Sequence, residues 1–322
     1  MTANKIGFKE SFQQFYKKYG VVFILAVEII FFSFAHKNFL SLNNFLSVGR
    51  QISFIGIAAI GMTMVLIIGG IDISVGSMLA FAGVFSTKIL VDFGLPLWLS
   101  ILITLIMGAV FGTINGFSCA VLHIPALIST LAMQTILKGI AFLLTNALPV
   151  KGMTKEFKYL GQGYLFGFFP IPLLVMLIMF VLGVWILNRT TFGRRLYAVG
   201  GNSEAARLSG INTKKMTILT YAICGTFAAL SGVLMAGRLG SGQPSIGADH
   251  PMDVLTAAVL GGISVNGGKG NIVNVLFGAF IMGILSNGMV MLGINEYWQW
   301  VLKGIVLLLA VTLSNLDVIT ED

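Results

Sequence analysis

Long apolar runs, separated by short polar segments, are the feature of this sequence that most restricts its fold. A helix needs about 20 mainly apolar residues to cross a bilayer. Runs such as Leu97–Leu122 and Ile272–Val290 therefore predict membrane-spanning helices. Only 10% of the residues are charged and 57% are hydrophobic, whereas a typical soluble domain carries roughly 25% charged residues. This balance excludes an ordinary soluble enzyme, and the high hydrophobicity also excludes a disordered chain.

The spacing of these runs predicts an all-α polytopic membrane protein with about ten transmembrane helices in a single domain of residues 1–322. The first run is interpreted as an uncleaved helix, because Ser33-Phe34-Ala35 matches a signal-peptide cleavage site poorly. The eighth run is too short for a regular spanning helix, so we expect it to be broken or re-entrant. The predicted spans are Val21–Ala35, Ile52–Ile68, Ile73–Val91, Leu97–Leu122, Ala126–Thr145, Pro170–Leu187, Thr217–Gly237, Asp253–Val265, Ile272–Val290 and Tyr297–Leu313.

The positive charges indicate the orientation of the spans. The net charge is +8, but Lys and Arg lie between apolar runs, so a nucleic-acid partner is not expected. The segment 188–216 holds six basic residues and one acid, Glu204, and cytoplasmic loops of membrane proteins are rich in Lys and Arg. With six spans before it, this loop and both chain termini are predicted to be cytoplasmic. The lysines of the external loop 148–169 conflict mildly with this orientation.

Within this basic loop the sequence predicts a short amphipathic helix. Asn202 or Ser203 is expected to cap its N-terminus, Glu204 suits its first turn because of the helix dipole, and Gly210 is expected to end it. A loop that only faces water needs no such helix. We interpret it as a docking helix for a cytoplasmic protein, with a helix lying on lipid as the alternative. The apolar residues spaced for docking are Ala205, Leu208 and Ile211.

Polar side chains inside the apolar runs are costly in lipid and are candidates for a translocation path. Neutral amides predominate, which suits a neutral polyhydroxylated solute better than an ion; for any single amide, a hydrogen bond between helices is the alternative. Asp72 lies in a glycine-rich segment between two spans, as either a helix cap or a path residue. The path candidates are Asp72, Asn115, Gln134, Asn146, Asn274 and Asn287, and further polar residues of this kind are His123, Lys138 and Asn266.

Several glycine motifs have a structural interpretation. Gly108, Gly112 and Gly116 share one helix face and predict close helix packing within the subunit, with a subunit interface as the alternative. The segment 267–270 departs from the phosphate-binding loop pattern, so nucleotide binding is not expected there. Residues 69–74 and 261–264 echo each other, through either duplication or chance. Catalytic residues, a metal site and a cofactor in this chain are not expected, and Cys119 and Cys224 are interpreted as small core residues.

The longest recognisable motifs are Gly61-Met62-Thr63, the glycine-rich stretch 69–77 and the basic stretch 191–211, with shorter ones at 259–264, 267–270 and 297–299. Through these motifs, which occur in order between about residues 40 and 315, the sequence resembles the permease subunits of bacterial ABC sugar importers of the ribose/galactose/xylose class. The stretch 207–211 looks most like ribose-type members.

This resemblance implies a multi-pass protein of the bacterial cytoplasmic (inner) membrane. Two permease copies, a homodimer being favoured, would form the path by alternating access. A cytoplasmic ATPase with two nucleotide-binding domains would hold ATP and Mg, and an extracytoplasmic sugar-binding protein would deliver the solute. The alternatives are an ABC permease for a nucleoside, autoinducer-2 or a branched-chain amino acid, and a secondary carrier. The residues matching the ATPase-coupling region are Gly200, Asn202, Ser203, Glu204, Ala205, Arg207, Leu208 and Gly210.

Overall fold

A computed structural model describes the backbone of residues 8–319 and the side chains of residues 20–312, and helices dominate this part of the chain. One short antiparallel hairpin accompanies them, in which Tyr164 pairs with Pro170 and Leu165 with Phe169. In chain order the elements are α1 (Phe8–Ala35), α2 (Leu42–Ile67), α3 (Val75–Asp92), α4 (Leu97–Ala120), α5 (Ala126–Thr145), α6 (Lys155–Gln162), β1 (Tyr164–Leu165), β2 (Phe169–Pro170), α7 (Ile171–Arg189), α8 (Thr191–Gly201), α9 (Ser203–Leu208), α10 (Thr213–Leu239), α11 (His250–Leu260), α12 (Ile272–Met291) and α13 (Glu296–Ile319).

Seven helices in the described part of the chain are long and apolar enough to cross a membrane, namely α2, α3, α4, α5, α7, α10 and α12. The structure therefore shows a polytopic helical membrane protein but does not confirm the predicted count of ten. Helix α1 adds a shorter apolar stretch, Gly20–Ala35. The predicted cytoplasmic termini involve residues 1–7 and 320–322, which lie outside the described residues.

Helices α2, α3 and α10 form the centre of the bundle. The apolar window of α2 is 89% buried, whereas that of α4 is 22% buried, so α4 lies at the periphery. The three glycines of α4 face α10: a Cβ on Gly112 would lie 2.8 Å from the Tyr221 carbonyl carbon, and one on Gly116 would lie 2.6 Å from the Ile218 Cα. The prediction that this glycine stripe packs within the subunit is confirmed.

The eighth apolar run forms a broken segment, as predicted, but the helix begins earlier than expected. Helix α11 has 11 residues and starts at His250 rather than Asp253. The preceding residues 241–249 lie against α3, because a Cβ on Gly242 would lie 2.8 Å from the Gly83 carbonyl oxygen, and one on Gly247 would contact the backbone of Gly76. A non-helical segment and a half-length helix together replace one regular helix here.

Two segments predicted as loops contain secondary structure. The basic loop 188–216 forms α8, α9 and the start of α10. The loop 148–169 contains α6, which begins where the Thr154 hydroxyl oxygen accepts a hydrogen bond from the Phe157 amide at 3.3 Å. The Phe157 side chain is fully buried beside Leu90 and Val233, and this apolar contact fixes α6 against the long helices.

Helix α2 also begins earlier than predicted, at Leu42 rather than Ile52, because Ser41 caps it: the Ser41 hydroxyl oxygen accepts a hydrogen bond from the Asn44 amide at 3.3 Å. Both cysteines are free thiols. Cys224 is buried in the core and Cys119 is half-buried against it, in agreement with the interpretation as core residues.

Candidate functional site

Helices α8 and α9 form the basic segment between two spanning helices. The Thr190 side chain caps α8 by accepting a hydrogen bond from the Gly193 amide at 3.2 Å. The Asn202 side-chain oxygen caps α9 by accepting one from the Ala205 amide at 2.9 Å. Gly210 has φ +82°, a conformation that favours glycine after a helix end. The cap and the stop lie where the sequence places them, although the preceding helix α8 was not predicted.

The outer face of α9 combines charge with an exposed apolar side chain. Arg207 donates two hydrogen bonds to the Glu204 carboxylate, at 3.0 and 2.6 Å. The hydrogen bonds and charge of Arg207 lower the pKa of Glu204. Leu208, next to this pair on α9, is 76% exposed. This face offers both charge and apolar area to another protein.

The predicted coupling residues divide into an outward and an inward group. Ala206, which was not among them, is the buried residue of α9, while Ile211 is half-buried. Gly200 is half-buried and faces inward. The exposed members are Asn202, Ser203, Glu204, Ala205, Arg207, Leu208 and Gly210.

A cavity of about 230 Å³ opens beside α9, between α8 and the start of α10. Its lining includes the apolar side chains of Phe192 and Met216 and the basic residues Arg195 and Lys215. The cavity therefore lies in the basic segment itself and has both apolar and positively charged walls.

On its inner side, α8 lies near two glycine-rich turns: it packs against Ile67, which immediately precedes the first turn, and it contacts the second turn directly. The first, residues 68–74, joins α2 to α3, and the second, residues 261–271, joins α11 to α12. A Cβ on Gly200 would lie 2.7 Å from the Gly268 amide nitrogen and 2.8 Å from the Ile67 carbonyl carbon. The Tyr197 hydroxyl donates a hydrogen bond to the Gly270 carbonyl oxygen at 2.8 Å.

The two turns begin with the same backbone geometry. Gly69 and Gly262 both have φ +79°. The Gly69 amide donates to the Leu66 carbonyl oxygen, and the Gly262 amide donates to the Val259 carbonyl oxygen, each at 2.8 Å. This is a common way to end a helix. The structural correspondence pairs Gly69 with Gly262, one residue away from the pairing that the sequence echo suggested.

The first turn contains a buried polar cluster, formed by Asp72, Ser74 and Asn115. The Asp72 carboxylate accepts hydrogen bonds from the Ser74 amide, at 2.9 Å, and from its hydroxyl group. Asn115 of α4 donates from Nδ2 to the Ser74 hydroxyl oxygen at 3.0 Å. Each of the three residues is 1% exposed, and burial raises the pKa of the Asp72 carboxyl. The structure thus brings two predicted path residues, Asp72 and Asn115, into one closed cluster.

Asp72 does not occupy the N-cap position of α3, which belongs to Ser74, and Ser74 makes no side-chain cap hydrogen bond. The same turn contacts two further helices through the Ile71 carbonyl oxygen. It accepts a hydrogen bond from the Tyr221 hydroxyl of α10 at 3.3 Å. The Thr130 hydroxyl oxygen of α5 packs against it at 3.4 Å, while its proton is donated to the Ala126 carbonyl oxygen at 2.8 Å. The turn is therefore a junction of α4, α5 and α10.

The other path candidates do not join this cluster within one chain. Gln134 is half-buried on α5, and Asn146 is exposed at the end of α5 with φ 49°. Asn274 and Asn287 are half-buried on α12, and the Asn287 side-chain oxygen is buried without a hydrogen-bond partner in the described part of the chain. The further polar residues that are exposed are His123, Lys138 and Asn266.

Two charged contacts were missed from the sequence. Lys303 of α13 forms an ion pair with Asp253 of α11 at 2.8 Å, with the two side chains 18% and 9% exposed. Both residues are charged and interrupt apolar runs, and this is the sequence feature from which the pair could have been predicted. Arg50 of α2 donates to the Gln162 carbonyl oxygen at 3.2 Å and lies over the Tyr164 ring. These contacts join α11 to α13 and α2 to the hairpin segment.

Residues 44–311 match the sequence model of a family described as "Branched-chain amino acid transport system / permease component". The ribose import permease protein RbsC of Escherichia coli (strain K12) is 40% identical over 295 residues, which are 90% of this chain and 91% of that protein. The corresponding protein of Bacillus subtilis (strain 168) is 38% identical over 301 residues, 93% of each chain. The xylose transport system permease protein XylH of Haemophilus influenzae is 34% identical, covering 92% of this chain and 96% of that protein. No solved structure matches the chain.

Proposed function

Because this chain belongs to the permease-component family of transport systems that includes the branched-chain amino acid permeases, we propose that it is the transmembrane subunit of an ATP-driven, binding-protein-dependent importer of a monosaccharide. Ribose is the favoured substrate. The observation that carries this choice is 38–40% identity, over at least 90% of the chain, to permeases named for ribose import. As a permease component the chain moves solute and is not itself the catalyst of ATP hydrolysis.

A separate cytoplasmic ATPase subunit, with two nucleotide-binding domains, docks on α9 and the neighbouring cavity in this proposal. The support is the exposed apolar Leu208, the accessible Glu204–Arg207 pair and the hollow lined by Phe192 and Arg195. ATP and Mg are bound by that partner. The excess of basic residues in this segment favours a cytoplasmic position. With the ten spans predicted from the sequence, we expect both chain termini in the cytoplasm and α6 on the outer side, where the sugar-binding protein docks.

The translocation path forms between two copies of the chain, along the outward face of α5. Lys138 and Thr135 are exposed on this helix, and Asn146 is exposed at its end. A charge in the middle of a lipid-facing helix is expensive. Lys138 is nearer to the C-terminal end of α5, which lies seven residues further on. Because long side chains on a helix point toward its N-terminus, the Lys138 side chain points away from that end. The outward face of α5 carries apolar residues such as Ile128 and Ile136 beside this charge, whereas the exposed residues in the middle of α7, such as Ile178 and Val181, are apolar and suit lipid.

Transport proceeds by alternating access. ATP binding closes the ATPase, the movement enters through α9, and the helices around the path open toward the docked binding protein. Hydrolysis resets the subunit to the inward-facing state. Half-buried amides such as Gln134 and Asn287 supply both donors and acceptors, which suit the hydroxyl groups of a sugar.

The docking proposal is tested by exchanging charges on α9. The double variant Glu204→Arg/Arg207→Glu retains an ion pair with reversed charges at the docking face. We expect the complex with the ATPase subunit to assemble, and ATP hydrolysis to lose its coupling to sugar uptake in proteoliposomes. Lys88→Glu/Asp92→Lys is the matched control, because that pair is also an exposed intrahelical pair but lies at the opposite end of the bundle. Normal uptake by the α9 variant would remove α9 from the dock.

A second candidate substrate is a branched-chain amino acid, favoured by the description of the matching family. Titration of the cognate binding protein with ribose, galactose, xylose and leucine separates the candidates, because that protein selects the solute before the permease receives it. Tight binding of ribose supports the proposal, and binding of leucine alone would overturn it.

A further inference from the structure

Three backbone segments meet at the C-terminal end of α8. Gly200 packs against the last turn of α2, where a Cβ would lie 2.8 Å from the Ile67 carbonyl carbon. The Gly268 amide of the second turn donates a hydrogen bond to the Ile67 carbonyl oxygen at 2.8 Å. A Cβ on Gly200 would also lie 2.7 Å from that same amide nitrogen. The residue therefore faces the last residue of α2 and the second glycine-rich turn at once.

Backbone atoms of three glycines and of Ile67 meet in this contact. Gly267 and Gly268 have φ +86° and +71°, which other residues rarely adopt. A Cβ on Gly267 would lie 2.9 Å from the Gly69 amide nitrogen and 3.0 Å from the Gly200 carbonyl oxygen. No flexible side chain lies between these backbones, and close-packed groups transmit a displacement that a side chain would absorb by changing rotamer.

The first turn connects this contact to the spanning helices. Its Ile71 carbonyl oxygen accepts a hydrogen bond from Tyr221 of α10 and packs against the Thr130 hydroxyl of α5, and its Ser74 is hydrogen-bonded to Asn115 of α4. On the other side, Gly200 lies two residues before the Asn202 cap of α9. A short chain of contacts thus joins the outer face of α9 to α5.

We propose that Gly200 is a positioning residue for transport: its lack of a side chain lets α8 carry the movement of α9 into the end of α2 and the second glycine-rich turn together. The first turn adjoins both of these and passes the movement to the helices beside the path. This inference rests on the proposed function, in which α9 receives the ATPase. It assigns the second turn, residues 261–271, to the same moving unit as the first.

The matched pair Gly200→Ala and Gly201→Ala tests this role. A Cβ on Gly201 meets nothing within 4 Å, so the two variants add the same methyl group to adjacent residues with opposite surroundings. The readout is the ratio of sugar molecules imported to ATP hydrolysed, measured for the complete transporter in proteoliposomes. We expect Gly200→Ala to reduce this ratio by about tenfold or more, within the usual range of couplings between sites, and Gly201→Ala to retain the wild-type ratio.

A second variant, Tyr197→Phe, tests the same contact in case Gly200→Ala lowers expression or assembly. It removes the hydrogen bond to the Gly270 carbonyl oxygen without adding volume, and we expect it to lower the coupling ratio by about fivefold, the effect of one hydrogen bond. The inference is overturned when assembled Gly200→Ala keeps the wild-type ratio, when Gly201→Ala loses as much as Gly200→Ala, or when Gly200→Ala fails to assemble and Tyr197→Phe couples normally. Failure of the proposed function looks different, because the wild-type chain would then import solute without the ATPase subunit.

Discussion

The contact between α4 and α10 provides a quantitative test of the packing. In Gly112→Ala the added Cβ would lie 2.8 Å from the Tyr221 carbonyl carbon and 2.9 Å from the Ala222 Cα, whereas ordinary contacts begin at 3.4 Å. The added Cβ would also collide with the Tyr221 carbonyl oxygen, and all three atoms are backbone, so the two helices must separate by about an ångström, losing dispersion contacts along the stripe. Such overpacking costs about 1–3 kcal/mol of unfolding free energy.

The matched control is Gly304→Ala on α13, where a Cβ meets nothing within 4 Å. Replacing glycine by alanine inside a helix stabilises it by about 1 kcal/mol when no clash opposes the change. The two substitutions are therefore expected to act in opposite directions, although both add one methyl group to a helical glycine.

The assay is thermal unfolding of the purified protein in detergent, followed by tryptophan fluorescence. Each kcal/mol shifts the Tm of a chain this large by about 2 °C. Gly112→Ala is expected to lower the Tm by up to about 4 °C, because its cost net of the helix propensity gain is about 0–2 kcal/mol, and Gly304→Ala to raise it by up to about 2 °C. A Tm for Gly112→Ala at or above that of Gly304→Ala would refute the close backbone contact between α4 and α10.

Two further outcomes are expected. Lys303→Met leaves the Asp253 carboxylate buried without its partner, so we expect the unfolding free energy, measured by thermal unfolding, to fall by about 3–5 kcal/mol. The double variant Lys303→Met/Asp253→Leu should recover most of this loss. A double variant as unstable as the single one contradicts the pairing. In a background without Cys119 and Cys224, Lys138→Cys on α5 should react with a charged, water-soluble thiol reagent. The equally outward Val181→Cys on α7 should not, since it faces lipid; equal labelling of both would remove α5 from the path.

Local features could be predicted from the sequence because they depend on nearby residues. The Asn202 cap, the Gly210 stop and the glycine stripe of α4 all follow from residue type and short spacing. The early start of α2 was missed because apolar runs mark the membrane core, while the helix continues outward to a cap at Ser41.

Contacts between distant residues could not be read from one sequence. Asp72 and Asn115 were each singled out as polar residues in apolar surroundings, but only the packing of α3 on α4 places them in one cluster. The Asp253–Lys303 pair joins residues 50 positions apart. The glycine-rich turns were noticed as an echo, yet their contact with Gly200 depends on where α8 packs, which no local pattern specifies.

The role of the chain as an ATP-driven sugar permease is decided by one comparison. Proteoliposomes containing this chain are supplied with ATP, the binding protein and labelled ribose, with and without the ATPase subunit. We predict that ribose accumulates against its gradient only when the ATPase subunit and ATP are both present. Accumulation at the same rate without the ATPase subunit would show that the chain works alone as a secondary carrier and would contradict the proposal.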